Sequence, residues 1–130
     1  MLPSVHFLSS SILALILFPF FSWYSLIVYL GGFFIDFDHY LIFVIKKKDF
    51  SLRNAYNYFR YDKKHDWKTE PLIFHFLELT FILIILSFFH WIFFLLVSGI
   101  ILHLTLDFIR EVKHNKFTKH WFFFYWYYNN

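Results

Sequence analysis

Two stretches of this chain, residues 1–45 and 71–109, contain neither lysine nor arginine. A helix needs about 20 predominantly apolar residues to cross a bilayer, so each stretch has room for two crossings. Of the 130 residues, 59% are hydrophobic and 28% aromatic. A soluble domain of this length leaves too much surface in water to hide that many apolar side chains, so the expected solvent is a bilayer.

The reading is therefore all-α: an integral membrane bundle of four transmembrane helices forming a single domain over residues 1–130. The helices are expected at about residues 3–18, 22–45, 71–88 and 91–110. The first turn falls around residues 18–22, where Pro19 either ends the helix or kinks it. In the second case Gly31-Gly32 would open a short re-entrant segment. The first basic residue is Lys46, so the charged start of a removable signal peptide is missing. There is no cysteine from which to read a redox compartment.

The basic residues sort the chain across the membrane. Eight of the twelve lie between Lys46 and Lys68, and four lie between Arg110 and Lys119. Lys- and Arg-rich short loops stay cytoplasmic, which puts the 46–70 loop and both termini on the cytoplasmic side of a multi-pass protein of the cell membrane. The expected partners are membrane lipid and its anionic headgroups. Nucleic acid is excluded as a partner because no recognition motif accompanies the charge. Eight consecutive aromatic residues, Trp121 to Tyr128, sit in the tail over 117–130, as an interfacial anchor would.

Against this apolar background stand Asp36, Asp38, Glu78 and Asp107, with His6, His39, His75 and His103. An ionised carboxylate at a helix centre costs about 2.5 to 3.5 kcal/mol on insertion. Four would cost on the order of 10 kcal/mol, as much as a whole domain's stability. Their offsets from the basic segments put them about 5 to 10 Å below the cytoplasmic interface, at one level on all four helices. His103 with Asp107 (i, i+4), His75 with Glu78 (i, i+3) and Asp36 with His39 (i, i+3) each share a helical face. Asp38 points about 160° away from Asp36 on an ideal helix, so both reach one site only if the backbone opens between them and Gly31-Gly32. His65, His90, His114 and His120 are read as solvated or interfacial.

Histidine and carboxylate on facing helices are ligands for a divalent metal, zinc first, with manganese or iron as alternatives and one or two ions in the core. The candidate ligands are His6, Asp36, Asp38, His39, His75, Glu78, His103 and Asp107.

The order His6, GGFFIDFDH over 31–39, FHFLE over 74–78 and GIILHLTLD over 99–107 resembles the YdjM-like family of membrane-bound metal-dependent hydrolases. That family carries a G-x-x-x-P-D-x-D-H signature and an H-L-x-x-D helix; here Ile35 stands where the family has proline, and its H-R and T-H-S elements are absent. The resemblance implies a hydrolase, and its motifs are similar to those of zinc-dependent phospholipases C. On that reading the metal centre cleaves a phosphoester of a lipid or lipid-like substrate at the cytoplasmic face. Asp36 and Glu78 are the candidates for catalytic roles, whichever carboxylate is uncoordinated serving as general base. Rivals from other classes are a metal-ion or proton transporter and a structural membrane protein with a metal staple. No H-E-x-x-H motif of a zinc protease is present.

Overall fold

The computed structural model describes residues 3–61, 72–113, 122–123 and 127–128. Among the described residues every regular element is helical and none is a strand.

Helix α1 (Pro3–Phe21) runs through Pro19, which falls in its last turn. The chain then reverses at Ser22, whose φ of 51° is left-handed. It returns as a 3-10 segment, Ser22–Ile27, and α2 (Val28–Gly32). The return is antiparallel: the Phe18 ring meets Trp23, Ser11 hydrogen-bonds the Tyr29 hydroxyl at 2.7 Å, and Phe7 packs on Tyr29 and Phe33. The turn expected over 18–22 thus sits at its far edge, and Pro19 belongs to the helix.

The second arm is not the continuous helix expected over 22–45. After Gly32, Phe33 leaves helical geometry (φ −122°, ψ −46°), a 3-10 turn covers Phe34–Asp36, and α3 (Phe37–Lys47) follows. Lys48, at φ 52°, caps α3 by donating its N–H to Val44 C=O at 2.8 Å, the left-handed stop that closes many helices. Within the expected 46–70 loop, α4 (Leu52–Tyr61) forms. Ser51 Oγ accepts the Asn54 N–H at its start. Buried Ala55, the Phe43–Tyr58 contact and Lys47 Nζ 5.0 Å above the Tyr58 ring hold it to α3.

A third helix over 71–88 was the expectation; α5 (Leu77–Ser87) starts later. Before it come a 3-10 turn, Ile73–His75, and extended Phe76 at ψ 130°. Asp38 holds that turn in place by accepting the Phe74 N–H at 3.3 Å. A short turn leads into α6 (Trp91–Lys113), close to the expected 91–110. His90 Nδ1 caps its start by accepting the Ile92 N–H.

The two reversals lie together, since Phe21 and Tyr24 pack on Trp91. Helix α6 therefore runs alongside α2 in the same direction. Glycine makes that approach possible. A Cβ on Gly31 would strike Leu96 O and the Ile100 side chain, one on Gly32 the Ser10 hydroxyl, and one on Gly99 the Val28 carbonyl. Val28, Leu95, Ile100 and Leu104 fill the seam.

Two helical stretches, Pro3–Lys47 and Trp91–Lys113, are long and apolar enough to cross a membrane. The first is the hairpin just described. Helix α5 is apolar but has 11 residues, short of a full crossing by itself. Large apolar side chains face outward along these elements, among them Leu8, Leu15, Phe20, Ile82 and Ile101. The tail expected over 117–130 lies mostly outside the described residues, as do residues 62–70 of the loop.

Candidate metal centre

At the end of the bundle away from the two reversals, the breaks in the helices gather the polar residues. The 3-10 turn over Phe34–Asp36 interrupts the arm just ahead of Asp38, and the Ile73–His75 turn sets the His75 ring beside both aspartates. Asp36 and Asp38 thereby approach the same imidazole from its two sides. Asp36 Oδ1 lies 3.5 Å from His75 Nε2, and Asp38 Oδ2 lies 3.1 Å from His75 Nδ1.

Four donors converge on the Nε2 side. His75 Nε2 and His103 Nε2 are 3.2 Å apart, Asp36 Oδ1 is 3.4 Å from His103 Nε2, and Asp107 Oδ2 is 3.3 Å from His103 Nε2. The group Asp36, His75, His103 and Asp107 has its ligand atoms within 4.8 Å of one another. Donors set tetrahedrally around an ion at about 2.0 to 2.2 Å would be about 3.3 to 3.6 Å apart. Four of the six pairwise spacings, at 3.2 to 3.5 Å, match that figure.

Hydrogen bonding settles which atoms face the centre. His103 Nδ1 lies 3.0 Å from Gly32 C=O, and a carbonyl only accepts, so Nδ1 carries the proton. His75 Nδ1 faces the Asp38 carboxylate and donates in the same way. In neutral rings both Nε2 atoms then present lone pairs to each other at 3.2 Å, beside two carboxylate oxygens. In that state the four groups are all acceptors, and a cation among them, a metal ion or a proton on an imidazole, relieves their repulsion. A divalent ion also balances the two carboxylate charges. Metal-ligating histidines characteristically donate their second N–H to a carbonyl or a carboxylate, and both partners are in place here. The donor set suits a divalent metal ion; nothing in it selects one metal over another.

A second group, Asp38, His39 and His75, adjoins the first. His39 Nδ1 is 2.9 Å from Asp38 Oδ1 and 3.5 Å from Asp36 Oδ1. The Phe59 ring of α4 packs edge-on against His39 at 5.1 Å, so the amphipathic helix borders the site. On the far side, His6 stacks on His103 with ring centroids 3.9 Å apart, and its Nε2 is 3.4 Å from Asp107 Oδ1. His6 lies beside the four-donor group without joining it.

Glu78 requires a correction. It was expected as a ligand and as a base on the same helical face as His75. Extended Phe76 breaks that face, so Glu78 belongs to neither group, and its Oε2 accepts the Phe123 N–H at 3.1 Å. Two participants were not read from the sequence: the Gly32 carbonyl, a backbone atom without a side-chain signal, and Phe59, in a helix that the charge of the loop obscured.

Compared with known proteins, the chain matches no family model, no curated protein and no solved structure.

Proposed function

We propose that this chain is a membrane-embedded metal-dependent hydrolase that cleaves a phosphoester of a lipid or lipid-like substrate at the cytoplasmic face. The observation that carries the proposal is the convergence of His75 Nε2, His103 Nε2, Asp36 Oδ1 and Asp107 Oδ2 inside an apolar helical protein. The motif order of the YdjM-like hydrolases supports the same reading, as do the two helical stretches long and apolar enough to cross a membrane.

In this reading Asp36, His75, His103 and Asp107 hold the ion. A divalent ion held there supplies Lewis acidity toward a phosphoryl oxygen and a nucleophile from water near neutral pH. Asp38 fixes the His75 ring through Nδ1 and so aims Nε2 at the centre. Asp36 is 30% exposed on its side chain while His103 is fully buried, so the centre is open on the Asp36 side. His39 and Phe59 flank that opening. Lys46, Lys47 and Lys48 follow on the same arm and attract an anionic headgroup, while the apolar chain of the substrate stays among the outward-facing side chains.

The test is elemental analysis of detergent-purified protein beside its Asp36→Ala and His103→Ala variants, followed by a screen of lipid phosphoesters with the metal-loaded protein. The proposal expects bound metal and hydrolysis in the wild type, both reduced at least tenfold in the variants. Metal without hydrolysis of any phosphoester would favour the structural staple, and full metal in both variants would refute the site.

A further inference from the structure

His6 is the residue the four-donor centre does not use. It is fully buried on α1, yet neither ring nitrogen has a hydrogen-bond partner. An unsatisfied buried polar atom costs about 1 to 3 kcal/mol, and such atoms mark places where water or an ion belongs. The Ser10 hydroxyl, one turn further along the same face, is likewise buried without a partner. His6 faces α6, whereas the Ser10 hydroxyl lies against Gly32 of α2.

Opposite His6 stands the second oxygen of Asp107. While Oδ2 lies 3.3 Å from His103 Nε2 in the first group, Oδ1 lies 3.4 Å from His6 Nε2. That is again the spacing of two donors on one ion. The His6 and His103 rings are nearly parallel, at 18°, and 3.9 Å apart. Ions held in the planes of two such rings would stand about as far apart as the 3.5 to 4 Å of two-metal phosphoester sites.

We infer that His6 Nε2 and Asp107 Oδ1 hold a second divalent metal ion, with Asp107 bridging it to the first. This rests on the metal-centre reading above and deepens it. Two protein donors leave the remaining positions of the second ion to water and to phosphate oxygens, so the ligand it takes is a phosphoester or free phosphate.

The experiment is manganese titration of the full-length, detergent-purified chain after chelation, with and without inorganic phosphate, read by elemental analysis and by electron paramagnetic resonance. Wild type is expected to bind two ions per chain with the signal of a coupled pair, at least in the presence of phosphate. His6→Ala and His6→Gln are expected to bind one, with the signal of an isolated ion. The glutamine variant guards against loss of fold, checked by helicity and thermal melting. One ion in the wild type under both conditions overturns the second site while leaving the first. Two coupled ions in a folded His6→Ala variant also overturn it. No bound ion in the wild type overturns the whole metal reading, a result distinguishable from the others.

Discussion

Gly99→Ala links packing to the site, and its effect follows from the backbone around it. The added Cβ would strike the Val28 carbonyl and stand 2.8 Å from Gly32 N. Ordinary contacts of this kind are about 3.5 Å or more, and both obstacles are main chain, so no rotamer change relieves them. Helices α2 and α6 must separate by roughly half an ångström or more. Overpacking of this kind costs about 1 to 3 kcal/mol. The displaced segment carries the Gly32 carbonyl that fixes His103 at 3.0 Å. Lost support of a ligating histidine lowers metal affinity about 10- to 100-fold. The assay is a chelator-competition titration with zinc in detergent beside thermal melting, with Ser98→Ala as the control. Ser98 is half-buried on the same helix and its hydroxyl donates to the Phe94 carbonyl one turn back, so its change should move neither quantity. A Gly99→Ala protein with unchanged melting and unchanged zinc affinity would refute the close-packed seam as the support of His103.

Asp36→Asn and Asp38→Asn should separate the two aspartates: the first removes a donor and abolishes tight binding, whereas the second loses about 10- to 100-fold in affinity because His75 is less firmly aimed, as metal competition would report. Metal loading should fall on acidification, since both histidines must give up a proton to bind; dialysis against buffers of decreasing pH measures it. Asp49 is held below its ordinary carboxylate range by the Asn54 side chain and then the Ser51 N–H. A lowered folded-state pKa stabilises above the unfolded value of about 3.9 and loses that contribution as pH falls through the folded value. The pH dependence of α4 order in the acid range, followed by hydrogen exchange, should therefore flatten in Asp49→Ala.

Much of the site was legible because its signals are local in the sequence. The spacing of His103 and Asp107 needs only a regular helix, and α6 is regular through both. That the polar residues gather at one end of the helices was legible for the same reason, through the distance of each residue from the basic segments. Glu78 was misplaced because periodicity assumes an unbroken helix, whereas Asp38 draws the Phe74 N–H into a turn from 36 residues away. No spacing rule carries that contact. The break before Asp36 was foreshadowed by Gly31-Gly32, but its purpose, presenting two carboxylates to opposite nitrogens of His75, depends on a residue from another arm. Helix α4 escaped notice because a strongly basic loop reads as topology before it reads as an amphipathic helix.

The most direct measurement is X-ray absorption on the zinc-loaded, detergent-purified protein and its His103→Ala variant. The wild type should show a first shell of nitrogen and oxygen at about 2.0 to 2.2 Å, with imidazole scattering that diminishes in the variant. A wild-type spectrum without imidazole scattering, or one unchanged by the substitution, would contradict a zinc ion held by His75 and His103.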